Sequence, residues 1–402
     1  MTSITRRQLL GAGAALAVGG YGGHRLLRGA PEASFDAWAP AQDTWPLLRY
    51  DAANTAHNPH ASPPRQAPTR RALTSVESPV RPLVGSSRIV LYGSSLASYP
   101  REIGAVTTVT DATVRHAGLG PGGTLHAVQQ TDESESRYAV VSYDGTTETN
   151  RYMLRDRRPS SLTVGPTEVY VGTPSRNVLA IQSGTKDWHV DGMMPALEGG
   201  RLYTAGASDG VVAYAERSGV DRPLSAGPKR LWTGEWIPGQ VHQPAVANGR
   251  LLVGTYDVPP NGGVVGAYDT ENGERLWEPR NLGMDVATPA VVGDRGYTAV
   301  GTDGLQSGRV VALDLTTGET LWEDETDWYA YAPVVSEETL VVVGQVRDGD
   351  EFSAGKVRAY DTTSGEVLWT VTFESAVPNR AGVSLVGERV YATIGTTLSE
   401  LA

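Results

Sequence analysis

The sequence predicts an all-β fold: an eight-bladed β-propeller of four-stranded antiparallel blades, with seven blades as the alternative count. Three observations carry this reading. The stretch Ala267-Tyr-Asp-Thr-Glu-Asn-Gly-Glu-Arg-Leu-Trp277 recurs at Ala312–Trp322 and Ala359–Trp369, and Leu231-Trp232 and Asp187-Trp188 extend the series backwards, so the tryptophans lie 44, 45, 45 and 47 residues apart. A fixed period of that size marks a repeat architecture. Each unit also contains four short apolar or alternating runs separated by turn residues, the pattern of a propeller blade. Finally, the C-terminal stretch from Arg380 to Ala402 offers three strands and no fourth, while Arg70-Arg-Ala-Leu-Thr-Ser-Val76 stands unpaired at the other end. Joining the two would remove the exposed edges that an open ring leaves.

In chain order, residues 1–30 read as a targeting segment or N-terminal tether. Thr5-Arg6-Arg7-Gln8-Leu9-Leu10 is a twin-arginine signature, and Gly11 to Gly20 forms a short, weakly apolar stretch behind it. This predicts export of a folded protein to an extracytoplasmic, secreted or membrane-tethered location. The apolar run falls short of the roughly 20 residues that a spanning helix needs, so membrane contact is expected only through this segment. Residues 31–68 are a Pro/Ala-rich linker and lead-in containing Trp45-Pro-Leu-Leu-Arg-Tyr-Asp-Ala-Ala-Asn-Thr-Ala-His-Asn-Pro59, expected to lie across one face of the ring. His57 and His60 have no third partner there and are poor metal candidates.

The propeller occupies 69–402. Blades are placed at 79–115, 122–155, 159–191, 194–234, 243–280, 287–326 and 332–373, with the composite blade closing the circle. Within a unit, a Pro-Ala-Val or Pro-Val-Val strand comes first, then a polar turn and an apolar strand ending near glycine. A third strand follows, and an Asp-x-x-x-Gly-Glu turn leads to the fourth. Asp269, Asp314 and Asp361 are suited to bonding the backbone ahead of them, and Gly273, Gly318 and Gly365 to adopting the positive φ that closes the turn. Trp188, Trp232, Trp277, Trp322 and Trp369 recur at one place per blade, which points to packing between blades rather than ligand stacking. The first two blades are degenerate; in the second, Tyr143-Asp-Gly-Thr-Thr-Glu aligns with the motif and sets Tyr152 at the tryptophan position.

These residues resemble the pyrroloquinoline-quinone (PQQ)-like propeller repeat, with its Val-x-Ala-x-Asp-x-x-Thr-Gly-Glu-x-x-Trp core, most clearly over 194–373. WD-repeat blades have a similar period but pair a Gly-His start with a Trp-Asp end, which this chain lacks. The resemblance places the sequence near BamB-type scaffolds of outer-membrane assembly and near quinoprotein alcohol dehydrogenases. The first implies a non-enzymatic scaffold that presents a face or channel mouth to a protein or small ligand, although no cysteine is present for a lipid anchor. The second implies PQQ stacked on an aromatic near the channel mouth, held by arginine and by calcium. Under that reading Trp328 would stack, Arg380 would pair with a carboxylate, and Asp285 with Asn379 would offer hard oxygen ligands.

Composition narrows the choice. The formal charge is −11, which argues against a nucleic-acid surface. The chain has no cysteine, so disulfides, thiolate metal sites and the adjacent-cysteine disulfide of several quinoproteins are excluded. No Gly-x-Ser-x-Gly elbow, His-Glu-x-x-His pair or phosphate-binding glycine loop occurs. The expectation is therefore a monomeric scaffold with no cofactor and no catalytic residues. A PQQ- and calcium-dependent oxidoreductase is the alternative, and a carbohydrate-binding propeller using Trp236, Trp328 and Tyr329 is a second one.

Overall fold

The computed structural model describes residue 35 and residues 38–75, 79–101, 105–132, 137–155, 158–207, 210–216, 227–257, 262–302, 306–348, 351–374 and 381–402. The targeting segment, Asn379 and Arg380 lie outside the described residues.

Eight four-stranded antiparallel blades form from the described residues, and the ring closes as a composite: Arg70–Ser75 pairs antiparallel with Thr397–Leu401, with Arg70 opposite Leu401. The innermost strands are Pro79–Val84, Val114–Leu119, Ser161–Val164, Met194–Glu198, Ala245–Ala247, Ala290–Val292, Val334–Val335 and Ala381–Val386. One boundary is corrected. Blade 2 begins at Val114, not at 122, and the fourth strand of blade 1 ends at Thr110. Blade 2's inner strand carries no Pro-Ala-Val signature, and Pro121–Gly123, which reads as a blade start, is the turn between its first two strands.

In blades 5 to 7 the signature proline has a structural consequence. Proline cannot donate to a ladder, and each inner strand is split just ahead of Pro244, Pro289 or Pro333 into a short outer piece and a deeper one. The outer pieces, Gln240–Val241, Asp285–Val286 and Tyr329–Ala330, stand at the channel mouth.

At the far end of the channel runs the lead-in, which bonds the same position of one inner strand after another. Trp45 exchanges both backbone bonds with Val84, and Leu119 N donates to Pro46 O. The Trp38 indole N–H donates to Val164 O at 2.8 Å. Leu197, Val246, Val291 and Val335 donate to Ala52, Ala53, Thr55 and Ala56 respectively, and the Asn58 amide reaches Leu385 O at 2.8 Å. Asn54 plugs the axis, donating to Pro195 O and Pro244 O while accepting from Gln243. Tyr50, Asn54 and Ala56 all have positive φ, a strained conformation held by these contacts.

Between blades, the tryptophan of one packs on the turn glycine of the next. A methyl group on Gly318 (φ +74°) would lie 2.7 Å from the Trp277 ring, and the same holds for Gly273 with Trp232 and Gly365 with Trp322. Each indole N–H also bonds the following turn: Trp232 to Thr270 O, Trp277 to Leu315 O and Trp322 to Thr362 O, at 2.9, 3.1 and 3.2 Å. The turns are set by Asp269, Asp314 and Asp361, each accepting two backbone N–H bonds from the residues ahead.

Asn54→Ala strands two buried carbonyls and leaves alanine at φ +59°. It is expected to lower the unfolding free energy by roughly 3 kcal/mol, measured by urea titration. Glu278→Ala, on the exposed outer strand, should change it by less than about 0.5 kcal/mol.

Candidate functional site at the channel mouth

Three blades converge on Asp285. The short piece of blade 6 that carries it pairs with Tyr256 of blade 5, which joins the two blades at the mouth. His242, between the two pieces of the blade 5 inner strand, places Nε2 2.7 Å from Asp285 Oδ1. From blade 7, the Tyr329 hydroxyl donates to Asp285 Oδ2 at 2.5 Å. Tyr331 stands edge-on to Tyr329, with ring centroids 5.0 Å apart, and donates to Gln345 Oε1 at 2.6 Å.

The electrostatics follow from this geometry. Burial alone would raise the Asp285 pKa. The His242 hydrogen bond and charge, with the Tyr329 hydroxyl, outweigh it and hold the carboxyl below its ordinary range. Tyr329 is pushed well above the usual phenol value by burial and by the neighbouring carboxylate, so it stays a donor at all physiological pH. The side chains of His242 and Asp285 are 38% and 17% exposed, which leaves the carboxylate accessible from the mouth. The cluster is an ordered carboxylate with aromatic walls, suited to a cationic group of a bound segment.

Trp328, Gln243 and His57 are engaged elsewhere. Trp328 is fully buried among the core residues of blades 6 and 7, beneath Gly344, with the Arg358 guanidinium 5.6 Å from its ring. It presents no surface for stacking a quinone or a sugar; the strand's alternation turns Tyr329 to the mouth and Trp328 away from it. Gln243 points down the channel and bonds Asn54 and Thr163. His57 pairs with Glu337 at 3.2 Å. Among the described residues no three His, Asp or Glu side chains are grouped to hold a metal ion. Asp285, whose two oxygens already accept from His242 and Tyr329, has no acidic neighbour of that kind. Of the residues expected to form a calcium–quinone site, Asp285 stands at the mouth and Trp328 in the core, while Asn379 and Arg380 lie outside the described residues.

Gln345 escaped sequence reasoning, though a signal was present. Blades 3, 5 and 6 carry Gly-Thr late in the second strand (Gly172-Thr173, Gly254-Thr255, Gly301-Thr302), whereas blade 7 has Gly344-Gln345 at the matching place. The link from Asp285 to His242 and Tyr329 spans 43 and 44 residues, one repeat each way, and becomes visible only once adjacent blades are aligned.

Fold and mouth together define a β-propeller with one channel end occupied by its own lead-in and a polar, aromatic mouth at the other. The family model described as "Outer membrane protein assembly factor BamB" matches residues 176–327 and 261–400, together more than half of the chain, and the chain belongs to that family. No curated protein matches the chain. Among solved structures, BamB from Moraxella catarrhalis is similar at TM-score 0.59 and 16% identity, covering 83% of this chain and 97% of that one. The computationally designed Ika8 protein is similar at TM-score 0.63 and 12% identity, over 82% and 98% of the two chains. Sqt1 from Saccharomyces cerevisiae reaches 0.56 at 10% identity, over 84% and 98%. At these identities the likeness shows the propeller fold.

Because the folded Asp285 pKa lies below its unfolded value, its contribution to stability is present above about pH 4. It is lost as the pH falls through the depressed folded value. Asp285→Asn is expected to cost roughly 2 kcal/mol at pH 7, with the gap to the native protein closing between pH 4 and the acid limit of folding, followed by thermal unfolding across pH.

Proposed function

We propose that this protein is an exported, non-enzymatic propeller scaffold that receives an extended, cation-bearing segment of a partner protein at the channel mouth. The observation that carries the reading is the contrast between the two channel ends. Along the far end, the lead-in occupies hydrogen-bonding positions of the inner strands. At the mouth, His242, Asp285 and Tyr329 present a carboxylate already ordered and ionised, so binding a lysine or arginine there carries little reorganisation cost. Membership of the BamB family supports a scaffold role. The twin-arginine signature at Arg6-Arg7 supports export.

Two experiments test the proposal. A photo-crosslinking amino acid at position 240, exposed at the mouth beside His242, should trap a protein partner in cells that the same residue at position 388, on the opposite face, does not, and Asp285→Asn should reduce that product several-fold. Crosslinks from 388 alone, or none from 240, would overturn the binding face. Titration of PQQ with calcium into the purified protein should leave tryptophan fluorescence and Tm unchanged. Saturable quenching with a raised Tm would reveal a ligand of the folded state and replace the scaffold reading with an oxidoreductase one.

A further inference from the structure

The junction between blades 2 and 3 lacks the tryptophan that seals the gaps after blades 4, 5 and 6. In blades 5 to 7 the tryptophan faces the alanine of the third strand: Ala267 pairs with Trp277, Ala312 with Trp322 and Ala359 with Trp369. In blade 2 the equivalent residue is Ser142, and its partner is Asn150 rather than Tyr152, because the Asp144-Gly145 turn is shorter than the Asp-x-x-x-Gly-Glu turn. Tyr152 pairs with Val140 and packs against the neighbouring core. Asn150 takes the indole's place, with the end of its amide 3.3 Å from Ser183 O. Ser183 corresponds to Thr270, Leu315 and Thr362, the acceptors of the tryptophan N–H bonds.

No ring fills this position, and a cleft of about 210 Å³ opens there. An apolar cavity of about 150 Å³ takes up benzene, so this one has room for one or two fused rings. Its walls include Val140, Val164, Val169 and Ile181, while His126, Ser142, Asn150, Thr124, Thr167 and Glu168 bring hydrogen-bonding groups to it. Burial raises the Glu168 pKa to about 7, and its Oε2 accepts from the Tyr170 hydroxyl. His126 Nδ1 lies 2.9 Å from Ser142 Oγ. Burial lowers the His126 pKa to about 4, so the ring is neutral at physiological pH. A neutral imidazole, hydroxyl and amide groups and a carboxyl whose charged form burial disfavours, set among aliphatic side chains, suit a flat, uncharged molecule with ring nitrogen atoms.

We propose that the gap between blades 2 and 3 is a binding site for a neutral planar nitrogen heterocycle of one or two rings, seated where other blades place their own indole. The site lies away from the mouth and does not depend on the partner proposed there. Indole is the probe, titrated into the full-length protein and followed by saturation-transfer NMR and calorimetry. Saturable binding to the native protein is expected, with Ser142→Ala weakening it about tenfold. Asn150→Trp, which supplies the missing ring, is expected to abolish binding and raise Tm. Val140→Phe intrudes from another wall and serves the same purpose if Asn150→Trp does not fold. No saturable binding by the native protein, or binding that Ser142→Ala and the filled variants leave unchanged, overturns the proposal.

Discussion

The structure depends on the contact between the lead-in and the inner strands. A propeller ring leaves the innermost strands around a channel whose backbone groups need partners, because buried N–H and C=O groups are costly to leave unpaired. Here residues 38–58 supply those partners along the channel's far end, with the Asn54 amide on the axis. The cost is local: three non-glycine residues of the lead-in adopt positive φ. The same segment therefore fixes the blades to one another and closes that end of the channel. Recognition is left to the mouth, where the proline-split strands bring His242, Asp285 and Tyr329 together.

The second constraint is the tryptophan laid on the next blade's turn glycine. It joins neighbours through ring contact and an N–H bond to the turn carbonyl, so blades 5, 6 and 7 are each completed by the one before. At the closure the rule is adapted: Trp369 donates to Pro64 O, in the chain segment that enters the composite blade. Between blades 2 and 3 Asn150 stands in the tryptophan's place, and a cleft opens where the ring would lie.

Much of this was legible in the sequence wherever local chemistry repeats. The Asp and Gly turn residues, the tryptophan period and the unpaired Arg70 stretch led directly to eight blades and a composite closure, because each signal depends on residues close in sequence or on a count that must close. The lead-in was legible as a covering segment, while its blade-by-blade bonding depends on backbone groups that every sequence possesses. Blade 2 was misjudged because a shortened turn shifts the register, exchanging Asn150 for Tyr152. The mouth was half legible: Asp285 and Tyr329 were singled out, but strand alternation decided that Tyr329 and not Trp328 would face Asp285.

The central claim is that the lead-in is an integral part of the ring. Native-state hydrogen exchange at the amides of Val246, Val291 and Val335, which donate to Ala53, Thr55 and Ala56, tests it most directly. If the lead-in organises the ring, these three amides open only with global unfolding and share the free energy of the most protected inner-strand sites. If they exchange at far lower free energies while the second strands of the same blades stay protected, the lead-in detaches independently and the blades hold the ring without it.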